Sequence, residues 1–382
     1  MTDDRPTPDS LKPFWESSLK QFTTLEPPNI DAAAKERHRI YSLLLCALIH
    51  DKWNGNKYGE VGDYGKWRKN QELATIEEGR NVYKGGSYLG HNIAALAVDG
   101  EGRIMDFDFN HNDVFDSTVE HAESRLVRRL FALTQIYDPW EALKPNDSLP
   151  GGLRAIVGFD QRLEQRHSLF ATAASDRPAP PRTGTDLDTG ATPLPPYSTL
   201  LKDVTIYTSL ESCAQCSGIM CLASVKDIVY LQWDQGQFLI GNMMWQATKD
   251  QKKAHGFGAP RPIGGDDFDF EYFTSLNNAN ENFRKEMTQG ATFYEDPGSN
   301  TKSDKPSVTS FLCTDAAYDI FKQATEELEN LKATGLKYPE WGPKSSALKN
   351  DDALRQAKDF LEWVRGFDRF NRLGSRGAPH RV

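Results

Sequence analysis

The chain has 382 residues, 38% hydrophobic and 11% aromatic, and its 45 Lys and Arg against 54 Asp and Glu give a net charge of −9. That is chain enough for two ordinary domains or one elaborated core; it excludes a disulfide-stapled miniprotein and a chain that coats nucleic acid through bulk positive charge. No run nears the roughly 18 consecutive apolar residues of a membrane span, and the start, Met1-Thr-Asp-Asp-Arg-Pro6, has no basic stretch leading into an apolar one, so a cytoplasmic protein with no membrane partner is expected.

Residues 1 to 30 carry Pro6, Pro8, Pro13, Pro27 and Pro28 without a sustained period and read as a loosely ordered arm. From Asp31 the apolar positions Ile40, Leu43, Leu44, Ala47 and Leu48 recur on one face of an α-helix. The Gly-rich stretch after Asn54 ends that helix, and 51–90 reads as loop with short elements. Within it Gly85-Gly-Ser-Tyr-Leu-Gly90 lacks the Lys-Ser/Thr of a phosphate loop and reads as a turn.

Runs over 92–98 and 103–109 flank Asp99-Gly-Glu-Gly102 and predict a β-hairpin, the second run alternating apolar and polar as a half-buried strand does. An amphipathic helix follows from 119 to about 133, with Ala122, Leu126, Leu130 and Leu133 on one face. A Pro-rich insertion over about 135–200 comes next, with one helix near 153–170. Order returns as a strand over 203–209, a helix over 213–224, a strand over 227–233 and helices over 240–253 and 271–287.

Two terminal helices carry the stripes Ala317, Ile320, Phe321, Ala324, Leu328, Leu331 and Leu354, Ala357, Leu361, Val364. The element order predicts an α/β sandwich, a mixed sheet with helices on both faces. Three parts follow: an arm and helical extension over 1–88, a core over 89–290 that holds the insertion, and a helical extension over 291–382.

The five cysteines, Cys46, Cys213, Cys216, Cys221 and Cys313, are an odd number, and three of them crowd into nine residues. That distribution points to a metal or a reactive thiol in a reducing compartment. Chance supplies on the order of 0.07 C-x-x-C pairs at this cysteine content, so Cys213-Ala-Gln-Cys216 is hard to dismiss, whereas about half an H-x-E is expected by accident and His121-Ala-Glu123 alone is weak.

Context joins the two. The histidine opens a helix after the hairpin, and the cysteines open the next helix after the next strand. Two helix starts aimed at one spot can deliver His121, Cys213 and Cys216 to one tetrahedral Zn²⁺ with a fourth position open for water. Cys213 and Cys216 lie one turn apart, and the positive helix end favours thiolate. Glu123 can then reach the water as a proton shuttle. A redox dithiol and a structural zinc site are the rivals of this reading.

H-x-E combined with P-C-x-x-C is the signature of zinc nucleobase deaminases. Through 92–98, 103–110, His121-Ala-Glu123, 206–220 and Ile228-Val-Tyr230, the chain resembles the cytidine deaminase-like superfamily, and within it the tRNA adenosine deaminases and related bacterial nucleic-acid deaminases. The resemblance implies a five-stranded mixed sheet in a three-layer α-β-α sandwich. It implies one zinc on His121, Cys213 and Cys216, with Glu123 as acid and base. Asn110 would hydrogen-bond the target base, and Ala122 and His111 are expected beside it, though His111 also reads as a solvated turn residue.

Two departures stand out. Ser212 replaces the usual proline before the first cysteine, which is expected to alter loop stiffness rather than metal binding, and the long gap from His121 to Cys213 puts substrate identity in doubt.

The reaction that follows is hydrolytic deamination: zinc lowers the pKa of its water, Glu123 takes the proton, and ammonia leaves. Adenosine in RNA is the first expectation, cytosine in single-stranded DNA the second, and a free nucleobase or nucleoside the third. A homodimer is compatible with the pattern, and a non-catalytic zinc scaffold is the rival of another class.

Trp233, Phe238, Met243, Met244 and Trp245 read as packing residues or as a base-stacking platform. Cys221 reads as core and His91 as structural. From Lys344 on there are nine Lys or Arg against five acids, with Trp363, Phe367 and Phe370 among them. This pattern fits either a nucleic-acid strand or a solvated helix face.

Overall fold

A computed structural model of the chain describes residues 18–51, 53, 82–83, 86–87, 91–110, 119–135, 201–237, 239–288 and 307–370. The helix expected near 153–170, most of the insertion, His111, Phe238 and the chain beyond 370 lie outside these residues.

Five strands form one sheet: β1 Ala94–Val98, β2 Ile104–Phe109, β3 Thr205–Thr208, β4 Asp227–Tyr230 and β5 Arg261–Gly264, in the order β2-β1-β3-β4-β5. β1 runs antiparallel to β2 and β3, while β3, β4 and β5 are mutually parallel. The expected hairpin is β1–β2, closed by a turn in which Asp99 Oδ1 accepts from the N–H groups of Glu101 and Arg103. Gly102 there has φ of 84°, a left-handed conformation that suits glycine, and any side chain on it would meet the Arg37 guanidinium.

β5 escaped the periodicity reading because Arg261-Pro262-Ile263-Gly264 is short and contains proline. As the edge strand it tolerates the missing N–H. A separate two-stranded ribbon pairs Val82–Tyr83 with Gly86–Ser87.

One face of the sheet is covered by α1, Ala32–Asp51. The single apolar stripe expected for it understates its position, because every residue from Ile40 to Ile49 is buried. A helix apolar around its whole circumference belongs between layers. The outer cover comes from α6, Asp315–Asn330, and α7, Asn350–Phe370, both packed on α1. α5, Glu271–Thr288, leans on α6. Rings lock this layer to the strands: Tyr41 meets Tyr207 at 5.3 Å between centroids and Phe107 meets Phe360 at 5.4 Å.

The opposite face carries α2, Ala122–Gln135, α3, Ala214–Leu222, and α4, Ile240–His255. Here the expectation of a half-buried β2 is corrected. Its polar positions Asp106 and Asp108 are 0% exposed, as buried as Phe107. They are tolerated because α2 brings Arg129 to 2.6 Å from Asp106 and 3.0 Å from Asp108, and Arg125 to 3.3 Å from Asp108.

The described part of the arm, 18–30, is better ordered than Pro27 and Pro28 predict. Residues Leu19–Thr23 form a helical turn, Asn242 of α4 donates to the carbonyls of Phe22 and Thr24, and Lys249 pairs with Glu26 at 2.6 Å. Among the described residues no helix is long and apolar enough to cross a membrane.

Candidate metal centre

β2 is followed by Asn110, whose Oδ1 accepts from the Ala122 N–H at 2.8 Å and so satisfies a free donor at the start of α2. His121 stands immediately before that helix. From β3 the chain passes through Ser209 to Ser212 and turns into α3, whose N-cap is Cys213. The Cys213 sulfur accepts from the Cys216 N–H at 3.5 Å, so a thiolate here is favoured by the helix end as a carboxylate would be. Where α3 meets α4, Gly241 lies close enough to Ser217 that a β-carbon would sit 3.3 Å from its hydroxyl.

The two helix starts converge as the spacing predicts. His121 Nδ1 lies 3.3 Å from Cys213 Sγ and 3.5 Å from Cys216 Sγ, and the three ligand atoms are all within 4.8 Å of one another. Around a tetrahedral ion with Zn–S of about 2.3 Å and Zn–N of about 2.0–2.1 Å, sulfur and nitrogen sit about 3.6 Å apart. The donor set and its spacing therefore fit one zinc-like ion held by three protein atoms.

Electrostatics concentrate at the same point. The side-chain contact with Cys216 holds the Cys213 thiol well below its ordinary value, while the same contact and then burial push Cys216 up. Hydrogen bonding to Cys213 raises His121. Glu123 is 4% exposed, and burial first, then the charge of Cys213, pushes its carboxyl up. Its Oε2 accepts from the Cys216 thiol at 3.5 Å, and its Oε1 accepts from the hydroxyls of Thr208 and Ser212, each at 3.3 Å.

The structure thus brings together His121, Glu123, Cys213 and Cys216, with Asn110 and Ala122 at the same helix start. Ala122 is fully buried and its N–H is already engaged by Asn110.

Several neighbours were not singled out by sequence reasoning. Ser124 lies 3.5 Å from Cys216 Sγ, and Gln215 donates to Ser124 Oγ and to the Val119 carbonyl. Buried Glu211 is pushed up to about 7 by burial and accepts from the Asp234 N–H. Asp234 in turn feels the charges of Cys213 and His121. Only Ser212 carried a sequence signal, as the residue standing in place of proline. Beyond the effect on loop stiffness expected of it, Ser212 makes a direct contact with Glu123.

Of the aromatic and methionine cluster, Trp233 is 37% exposed and sits edge-on to Phe273, and Met243, Met244 and Trp245 are half-buried. Cys221 is half-buried rather than core. His91 lies 4.0 Å from Cys313 Sγ, a packing position. In the C-terminal segment Lys349 pairs with Glu340, Arg355 with Asp352, and Arg365 with Asp51, Glu329 and Glu362, while Lys358 donates to the carbonyls of Glu329 and Leu331. These four basic side chains are occupied within the chain.

No family model matches the sequence, and no curated protein matches it. Among solved structures, a chain from a study of A-to-I editing by tRNA:A34 deaminases at the wobble position of transfer RNA matches at 14% identity and a TM-score of 0.22, covering 46% of this chain and 82% of that one. A likeness that distant carries no argument about this chain.

Proposed function

We propose that the chain is a zinc-dependent hydrolytic deaminase of a nucleobase, with adenosine in RNA as the first substrate and cytosine in single-stranded DNA as the alternative. The observation that carries the reading is the triangle of His121 Nδ1, Cys213 Sγ and Cys216 Sγ with the buried Glu123 carboxylate against one edge. Three N/S ligands with an acid beside them, and no fourth ligand in the group among the described residues, match the catalytic rather than the structural pattern. Five free cysteines fit a reducing, cytoplasmic setting.

A zinc held by His121, Cys213 and Cys216 would supply Lewis acidity that lowers the pKa of water toward 7. Glu123 Oε2, facing Cys216, takes a proton from the attacking water and delivers it to the departing ammonia. Burial first, then the charge of Cys213, raises the Glu123 carboxyl, which is the direction that suits a group that both takes and gives a proton. Asn110 orients the start of α2 through Ala122 and offers its amide to the base; His111, which lies outside the described residues, is kept as a proposed base contact.

A free nucleobase or nucleoside is the third reading. It is favoured by the internal pairing of Lys349, Arg355 and Arg365, which leaves these side chains less available to a phosphate backbone. Incubation with RNA, single-stranded DNA and nucleosides, followed by mass spectrometry of inosine, uracil and xanthine, separates the readings. A strand substrate also requires affinity to fall steeply with salt. A Glu123→Ala protein that retains zinc and loses conversion supports catalysis; one that keeps its conversion defeats the enzyme reading.

A further inference from the structure

The zinc-deaminase motif carries proline immediately before its first cysteine, and this chain carries Ser212. The substitution does more than remove a ring. Ser212 is buried, and its hydroxyl donates to Glu123 Oε1 at 3.3 Å, beside the Thr208 hydroxyl at the same distance. We propose that Ser212 is a positioning residue for Glu123, a role that rests on the deaminase reading above.

A buried carboxylate needs hydrogen-bond donors to stay in one orientation. Both donors on Oε1 lie on one short stretch of chain: Thr208 is the last residue of β3, and Ser212 lies four residues on, in the link to α3. That link is pinned on both sides, by the Ser209 N–H to the Ala94 carbonyl at 3.1 Å and by the Glu211 N–H to the Gln232 carbonyl at 2.8 Å. Two hydroxyls on rigid backbone therefore anchor Oε1.

Oε2 faces the ligand cluster, and its donor is the Cys216 thiol. A metal-ligating cysteine has no proton to give, which leaves the Oε1 hydroxyls as the contacts that keep the carboxylate turned. With proline at 212 Thr208 would do this alone. Ser212 therefore fixes which oxygen handles the substrate's proton, acting through Glu123.

The test uses full-length, zinc-loaded protein with Ser212→Ala, Ser212→Pro and Ser212→Thr. In the first two, kcat is expected to fall on the order of tenfold, with KM and zinc content within about twofold of the unsubstituted protein; Ser212→Thr is expected to recover most of the loss. In parallel, the Tm loss caused by Ser212→Ala should shrink in a Glu123→Ala background, the non-additivity expected of residues in contact. Full kcat in Ser212→Ala, a change confined to KM, or additive Tm changes overturn the proposal. If the unsubstituted protein deaminates no base at all, the deaminase reading falls by itself, and the Tm cycle still decides whether Ser212 holds Glu123.

Discussion

The Ser124 hydroxyl lies 3.5 Å from the Cys216 sulfur, and it receives a hydrogen bond from Gln215 at 2.9 Å. With Gln215 supplying a proton to the Ser124 oxygen, the serine is free to direct its own proton at the sulfur. Because Gln215 also holds the Val119 carbonyl at 2.8 Å, the contact ties the start of α3 to the segment leading into α2. Contacts of this kind set ligand orientation and basicity. Ser124→Ala should weaken zinc binding by about 10- to 100-fold, read by competition with a chromophoric chelator.

The ligand triangle makes a stoichiometric prediction. The purified chain should carry one zinc, and His121→Ala, Cys213→Ser and Cys216→Ser should each lose it. Chelation should lower Tm and added zinc restore it, since free ion at a hundred times Kd contributes about 2.7 kcal/mol. Metal analysis after reductant treatment separates this from a redox dithiol, which would hold no metal and change its thiol count.

Asp108 is buried between Arg125 and Arg129 of α2. Removing one partner of such a cluster leaves buried charge uncompensated, at about 3–5 kcal/mol. Asp108→Ala should lower the urea midpoint accordingly with an unchanged m-value. Because α2 begins at the site, the same variant should also bind zinc less tightly. An unchanged midpoint would show that α2 does not depend on this cluster for its docking.

Phe360 of α7 packs edge-on against Phe107 of β2, and both are buried. Phe360→Ala should cost about 3–5 kcal/mol in global stability. A loss below about 1 kcal/mol would mean that α7 is an accessory to the fold and not a wall of its core.

His38 sits between the rings of Tyr207 and Phe268, with Nδ1 2.9 Å from the Tyr207 hydroxyl. Burial disfavours the imidazolium and pushes the pKa from 6.5 to about 4, against the opposing pull of Asp227. The unfolded chain takes up this proton first. The stability contributed by neutral His38 is therefore complete above about pH 6.5 and is lost as pH falls toward 4, by at most about 3 kcal/mol. His38→Gln should flatten urea-unfolding stability over that window; an unchanged slope would refute the assignment.

Much of the chain was legible because local rules wrote it. The hairpin follows from two strand-like runs around Asp99-Gly-Glu-Gly102, α2 and α3 from apolar spacing, and the candidate metal-binding cluster from the positions of His121, Cys213 and Cys216 at helix starts. Periodicity and N-terminal position depend on neighbours within a turn or two, so they survive in the linear order of residues.

Contacts that join distant segments were not legible in that way. A gap of 92 residues separates His121 from Cys213, and only the fold sets them at 3.3 Å. α1 reads as one-sided until α6 and α7 arrive to cover it, as in the contact of His50 with Tyr318 across 268 positions. Asp106 and Asp108 read as solvent-facing until α2 brings its arginines. The sequence by itself therefore determined which residues can ligate and which segments can be helix or strand. Only the tertiary structure decided which faces are covered, which charges meet and that Ser212 touches Glu123, because burial and hydrogen-bond pairing depend on whichever atoms the rest of the chain brings alongside.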